Sequence, residues 1–207
     1  GMGMIFAGVI YYAGSGFLTQ QKAGLKSAKE LDGATVCLQA GTDTELNVAD
    51  YFKANKMTFT PVTFDRSSDS AKALESGRGD PLASDQSQLY ARRQSLSKPD
   101  DYIVLPEVIS KEPLGPVGRR GDEDWLEIVR WSLFAMLNAE EMGVTSKNVD
   151  AMAANPTTPD MSNLLGKTGK YGEDLKLPND FVVKIVKQVG NYGESFDRNV
   201  GEGSPLK

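Results

Sequence analysis

Apolar and polar positions along the first hundred residues switch repeatedly between a period of two and a period near four. Val9, Ile10, Tyr11 and Tyr12 form a β-prone apolar run, the turn cluster of residues 13–16 closes it, and Phe17, Leu18 and Thr19 resume a strand. Residues 27–31 read as a short helical patch stopped by Asp32 and Gly33. Ala34–Gln39 is a strand apolar enough to be covered on both faces. Leu46, Ala49, Tyr51, Phe52 and Ala54 mark one face of a helix over residues 44–55, and residues 58–64 alternate as a strand. A helix over 68–76 ends at Gly77. A short strand at 81–83, a helix at 85–95 and a strand at 102–105 follow.

Strands alternating with helices predict an α/β fold around a largely parallel sheet. Its expected core comprises Val36, Leu38, Val48, Phe52, Val62, Phe64, Leu74, Leu82, Leu89 and Ile103. Residues 114–120 read as a single returning strand. Residues 122–141 read as a long helix, with Trp125, Ile128, Val129, Leu133, Met136 and Leu137 at spacings of three and four and Gly143 as its stop. From residue 146 the chain is mainly helical, broken at Pro156, Pro159 and Pro178, and no internal repeat interrupts it.

Composition narrows the chemistry. The chain has 207 residues, 40% hydrophobic and 25% charged, with a net charge of −5. That balance suits a globular protein with one ample core or two modest ones, and it carries no basic stripe for nucleic acid. Arg92–Arg93 and Arg119–Arg120 are isolated surface pairs. With no histidine, Ser-His-Asp, Cys-His and histidine-ligated metal chemistry are excluded. No metal or cofactor is expected. The single cysteine, Cys37, lies in an apolar strand and reads as a buried, inert thiol. Residues 2–10 are apolar but lack a basic flank and a small-residue cleavage site, so they are not read as a signal sequence. Gly1 reads as a residue left by tag removal, and Met2 as the start of the expressed gene or fragment.

The segment from Thr35 to Leu46 is the richest in chemistry. A strand runs into Gly41, and Thr42 is followed three residues later by Glu45, the spacing of a capping box at a helix start. Such a turn presents free N–H groups that suit a carboxylate or a phosphate, or it simply caps its helix. Further on come Gly77-Arg78-Gly79-Asp80-Pro81-Leu82-Ala83-Ser84-Asp85-Gln86-Ser87, then Ile109-Ser110-Lys111-Glu112-Pro113-Leu114-Gly115-Pro116, then Gly190-Asn191-Tyr192-Gly193-Glu194. In order and spacing these segments resemble the polar and general L-amino-acid-binding proteins of bacterial ABC transporters, the family 3 solute-binding proteins, from about Phe6 to Val200.

The resemblance implies the type II periplasmic-binding-protein fold. Residues 17–112 would form an intact α/β lobe 2. Residues 1–16 would be a hinge strand and remnant of lobe 1, and residues 113–207 the C-terminal part of lobe 1 with a helical tail. Family members carry a further stretch ahead of the position of Phe6, and the lobe 1 arginine that meets the ligand carboxylate belongs to it. The resemblance places Gly41, Thr42, Asp43 and Thr44 against that carboxylate, Asp85 against the α-ammonium, and the Gln39 carbonyl beside it. Both segments would follow strands of one sheet and project at its carboxyl end.

Three departures from the family pattern stand out. Asp43 replaces the usual Thr or Ser and sets an anion where the ligand's anion belongs, a cost of about 1–4 kcal/mol at ~4 Å. Pro81 stands at a strand start. Gly79 occupies a position where the family often has a second cysteine, one able to pair with Cys37.

The implied function is a periplasmic component that hands an L-amino acid to a membrane permease and performs no catalysis, with weakened binding in this chain. The other class compatible with the fold is a solute-binding-like enzyme of cyclohexadienyl dehydratase type, or a ligand-sensing domain. An enzyme would need an acid such as Glu107 or Glu112, and the competing reading of Glu112 is a solvated hinge charge. The wide apolar face of the helix at 122–141, with strand edges at 9–12 and 114–120, predicts a homodimer through the incomplete lobe.

Overall fold

A computed structural model describes residues 3–204 and residue 206; Gly1 and Met2, read above as a tag remnant and a start residue, lie outside the described residues. The described residues form two units, one of Tyr12–Pro113 with Leu206 and one of residues 3–11 with 114–204. In chain order the strands are β1 (Met4–Phe6), β2 (Tyr11–Ala13), β3 (Ser15–Gln20), β4 (Ala34–Gln39), β5 (Phe59–Phe64), β6 (Leu82–Asp85), β7 (Tyr102–Val104), β8 (Glu112–Leu114) and β9 (Val117–Arg119). The helices are α1 (Asp43–Ala54), α2 (Ser67–Glu75), α3 (Gln86–Ser95), α4 (Glu123–Glu141), α5 (Val149–Ala154), α6 (Pro159–Leu164), α7 (Tyr171–Asp174), α8 (Phe181–Val189) and α9 (Tyr192–Asn199).

The Tyr12–Pro113 unit is built on a five-stranded sheet in the order β5-β4-β6-β3-β7. β4 runs parallel to β5 and to β6, whereas β3 runs antiparallel to both β6 and β7. The sheet is therefore mixed rather than largely parallel. The turn residues 13–16 predict a reversal after Ala13, but β3 begins at Ser15 and is the strand that carries the chain into the sheet against its neighbours' direction.

Side-chain alternation along these strands divides the core between the two faces. Phe17, Val36, Leu38 and Ala83 point to the face covered by Val48 and Phe52 of α1. Leu18, Cys37 and Leu82, their immediate neighbours, point to the face covered by Ala71 and Leu74 of α2 and Leu89 of α3. Cover on both sides is why Val36, Cys37 and Leu38 are all buried and why β4 reads as an unbroken apolar run. Pro61 is accommodated because β5 is an edge strand, and Pro81 because it precedes β6, where its carbonyl accepts the Cys37 N–H at 2.8 Å. Ile103, expected in the core, is 41% exposed on β7 at the other edge; Val62 and Phe64 on β5 are half-buried.

In the other unit, β1 pairs antiparallel with β9, Met4 opposite Arg119. The single strand expected at 114–120 is instead split by Gly115 and Pro116 into β8 and β9, which pair with β2 and β1 respectively. Likewise Val9 and Ile10 fall outside any strand, between β1 and β2. A Cβ on Gly115 would stand 1.7 Å from the Gly8 carbonyl oxygen, so this close backbone crossing admits only glycine. Ala135 and Ala139 of α4 pack with Val149, Met161, Phe181, Val182 and Val186 of the following helices. α4 stops where Gly143 takes φ +69°, as the sequence indicates. Trp125 and Trp131 on the same helix remain 56% and 48% exposed. Among the described residues no helix is long and apolar enough to cross a membrane.

Candidate functional site

β4 and β6 lie side by side and parallel, with Cys37 opposite Leu82, so the turns that follow them emerge at the same sheet edge. After β4 the chain passes through Gly41, at φ +69°, and Thr42 opens α1. After β6, Asp85 leads directly into α3. Between these two helix starts lies a depression of about 320 Å³. The structure brings Gln39, Gly41, Thr42, Asp43, Thr44 and Asp85 together on its wall, joined by Ser84, Gln88 and Glu112.

The hydrogen bonds in the first turn differ from those of the expected capping box. The Thr42 side chain does not cap α1; its hydroxyl donates backwards to the Gln39 carbonyl at 2.9 Å. Glu45 Oε2 accepts from the Gly41 N–H at 3.0 Å, one residue earlier than the box requires. One of the N–H groups expected to face a ligand carboxylate therefore already has an anionic acceptor. Thr44, buried at the second position of the helix, accepts from the Ser15 hydroxyl at 3.3 Å. Asp43 occupies the first helical position, where a negative charge is favourable to the helix itself.

Asp85 holds the N-cap position of α3 without using its side chain as a cap, so the capping explanation of this residue falls away. Its carboxylate instead takes a long contact from Gln88 Nε2 at 3.5 Å. Burial holds the Asp85 carboxyl above the ordinary carboxylate range; the charge of Glu112, a hydrogen bond with Glu112 and the charge of Asp43 add to the rise. This is the environment of two carboxyl groups sharing one site.

The reading of Glu112 as a solvated hinge charge is overturned by the structure. Its Oε1 accepts from Ser110 Oγ and Asn47 Nδ2, both at 2.8 Å, and Ser15 Oγ, whose one proton is shared between Thr44 and this carboxylate, lies 3.4 Å away. The chain thus contributes to the site a residue that local sequence could not place. Ser110 is local, two residues before it, but Asn47 comes from α1 and Ser15 from β3, and no sequence spacing links those two to Glu112. Glu107, the other candidate acid, does not line the depression: its carboxylate accepts from Ser27 Oγ and from the Ala28 N–H at 2.9 Å, where it anchors a 3₁₀ turn. Among the described residues no group of His, Cys, Asp and Glu could hold a metal ion.

No family model matches the chain. Curated relatives do, across its whole length. The "Putative amino-acid ABC transporter-binding protein YhdW" of Escherichia coli is 75% identical over 207 residues, all of this chain and 61% of that protein. The general L-amino acid-binding periplasmic protein AapJ of Rhizobium johnstonii is 50% identical over 208 residues, again 61% of its length. The glutamate/glutamine/aspartate/asparagine-binding protein BztA of Rhodobacter capsulatus is 45% identical over 201 residues, 97% of this chain and 60% of that protein. The chain thus spans about three fifths of the length of these relatives. Among solved structures, a periplasmic binding protein of an ABC transporter from Brucella ovis with glutathione bound superposes with a TM-score of 0.94 at 53% identity, covering 99% of this chain and 65% of that one. An ancestral arginine-binding protein bound to glutamine, with a TM-score of 0.52 at 23% identity over 68% of this chain and 60% of its own, shares the fold.

Proposed function

We propose, for a chain that belongs to the amino-acid-binding proteins of ABC transporters, that the depression between the starts of α1 and α3 receives the α-amino end of an L-amino acid or of a compound built on one. The observation that carries this reading is the Asp85 carboxylate: it stands at the end of β6, free of capping duty, beside Glu112. The ligands named for the relatives are general L-amino acids, glutamate and its kin, and glutathione, and all share an α-ammonium. A carboxylate in a partly dry depression is the matching group. Gln39, through its carbonyl, would assist at the ammonium, and the N–H groups of Asp43 and Thr44 would face the α-carboxylate.

On this reading residues 17–112 act as lobe 2 of a binding protein, with residues 1–16 and 113–207 as parts of lobe 1. The protein is periplasmic, works with a membrane permease, and carries its ligand without chemical change. For these 207 residues alone we expect binding weaker than a complete two-lobed clasp provides, because each charge-assisted contact is worth roughly 1.5–3 kcal/mol and the lobe 1 arginine of the family pattern is not among them. We also infer self-association through the apolar face of α4.

The test is an NMR titration of the ¹⁵N-labelled chain with L-glutamate, L-glutamine, L-aspartate, L-histidine, L-leucine and glutathione. Millimolar binding with shifts centred on Gln39 to Thr44 and on Ser84 to Gln88 supports the reading. Shifts elsewhere, or none with any compound, would refute it. Because Glu112 lines the depression, a dehydratase reading retains one candidate acid, and an assay of prephenate turnover that gives product would replace transport by catalysis.

A further inference from the structure

Asp85 and Glu112 are both half-buried and line the same depression. Ser110 and Asn47, each at 2.8 Å, hold the Glu112 carboxyl in place, so it has little freedom to swing away from its neighbour. The other charged group acting on Asp85 is Asp43, at the first position of α1, and it too is an anion. Gln88 on α3 and Ser15 on β3, opposite Asp85 in the strand register, are neutral. The residues lining the depression include no lysine and no arginine. Two carboxyl groups on the wall of one depression, with no cation among its lining residues, retain a proton between them more readily than either would alone.

We propose that the ligand-free depression holds one proton between Asp85 and Glu112, and that the ammonium group of the ligand displaces it. The proton leaves to solvent as both carboxylates ionise, and the ammonium takes over its role of neutralising one of the two charges. Glu112 is thereby a positioning residue: it acts through Asp85 on the stoichiometry of binding. This rests on the proposed ammonium site above and adds a property to it. Below the titration of the pair, affinity should fall by up to about tenfold per pH unit; above it, affinity should level off.

The test has two arms, both on the full 207-residue chain. The first follows side-chain carboxyl ¹³C shifts without ligand from about pH 3 to 8, a span that brackets ordinary and raised carboxyl titrations. Asp85 should titrate above the ordinary range in the wild type and return towards it in Glu112→Gln. Should that variant misfold, Glu112→Ala should by the same logic return the Asp85 titration towards the ordinary range. The second arm titrates L-glutamine and, separately, methylammonium, and reads proton release by calorimetry in two buffers of different ionisation enthalpy. Release that is present in the wild type and lost in Glu112→Gln supports the proposal. An unchanged Asp85 titration in Glu112→Gln, or binding with no proton release at any pH, overturns it. Methylammonium releasing a proton while glutamine has no effect would keep this inference and sink the amino-acid reading. Glutamine binding that ignores pH would do the reverse.

Discussion

A β-carbon built on Gly79 would lie 2.8 Å from Cys37 Sγ. The thiol is buried against β6, and burial followed by the nearby Asp80 charge pushes its titration upward, so it is unreactive as it stands. The 2.8 Å separation is nevertheless close to the ~3 Å between Cβ and the far sulfur across a disulfide, so a second sulfur placed to the side of this line would reach Cys37 Sγ. Gly79→Cys should therefore form a disulfide between Cys37 and the introduced thiol on oxidation. Closing a loop of that length is worth about 4 kcal/mol in the chain-entropy model, less the strain of the new carbon against the Thr35 carbonyl oxygen at 2.9 Å. Gly79→Ala, which adds the carbon without the bond, should lose about 1–3 kcal/mol. Mass spectrometry with thermal melts in oxidised and reduced form will check both; a variant whose thiols stay free under oxidant defeats the prediction.

Phe52 is 1% exposed, and its ring meets Phe59 at 4.7 Å and Phe17 at 6.2 Å between centroids. Phe52→Ala should cost about 3–5 kcal/mol by urea denaturation. A loss under about 1 kcal/mol would mean that α1 does not seal this face of the sheet.

Asp85→Asn removes a carboxyl group that burial and Glu112 disfavour as an anion. A carboxyl held above its unfolded value adds stability at acid pH and loses it as pH rises through the folded-state titration. The variant should thus be more stable than the wild type near pH 7, by on the order of 1 kcal/mol after solvent screening, with the advantage vanishing towards about pH 4. It should also abolish the amino-acid response. Melting curves across pH decide the first point and the NMR titration the second.

Glu194 works in the opposite sense. Burial pushes its carboxyl up, but hydrogen bonds from Ser146 and from the Asn191 N–H outweigh that and hold it below the ordinary range. With Asn191 it forms a true capping box at the start of α9. Its contribution is present above the unfolded titration and is lost as pH falls through the lower, folded-state one. Glu194→Gln should cost about 1 kcal/mol at pH 7 and progressively less in acid. Melting curves at neutral and acid pH check this, and a cost that does not shrink in acid counts against it.

The exposed Trp125 and Trp131 should become shielded when copies associate. Light scattering over a range of concentrations should report a dimer with both indoles protected from quencher. A monomer at high concentration would defeat this expectation.

Most of the sheet unit is legible in the sequence because its signals are local. The bounds of β4 match the sequence reading at both ends, and α1 to α3 lie within one or two residues of it, since apolar periodicity and glycine stops determine them. The direction of β3 is not legible: strand polarity depends on which neighbour a strand meets. The contrast between Glu45 and Glu194 makes the same point at finer scale. Both stand three residues after a plausible cap, yet only Glu194 closes the box, because Gly41 offers Glu45 a competing N–H. Glu112 is visible as a charge with Ser110 two residues before it, but Asn47 and Ser15 are brought to it only by tertiary folding.

The pairing of β1 with β9 has a kinetic consequence. Met4 precedes the whole Tyr12–Pro113 unit in synthesis, and its partner Arg119 follows it. That unit is continuous in sequence and can condense as soon as its last strand is made, whereas the pairing of β1 with β9 waits until β9 appears. During translation the inserted unit therefore acts as a self-shortening tether. By collapsing, it draws the two ends of a long loop together and lowers the entropic barrier to the strand pairing that completes the second unit.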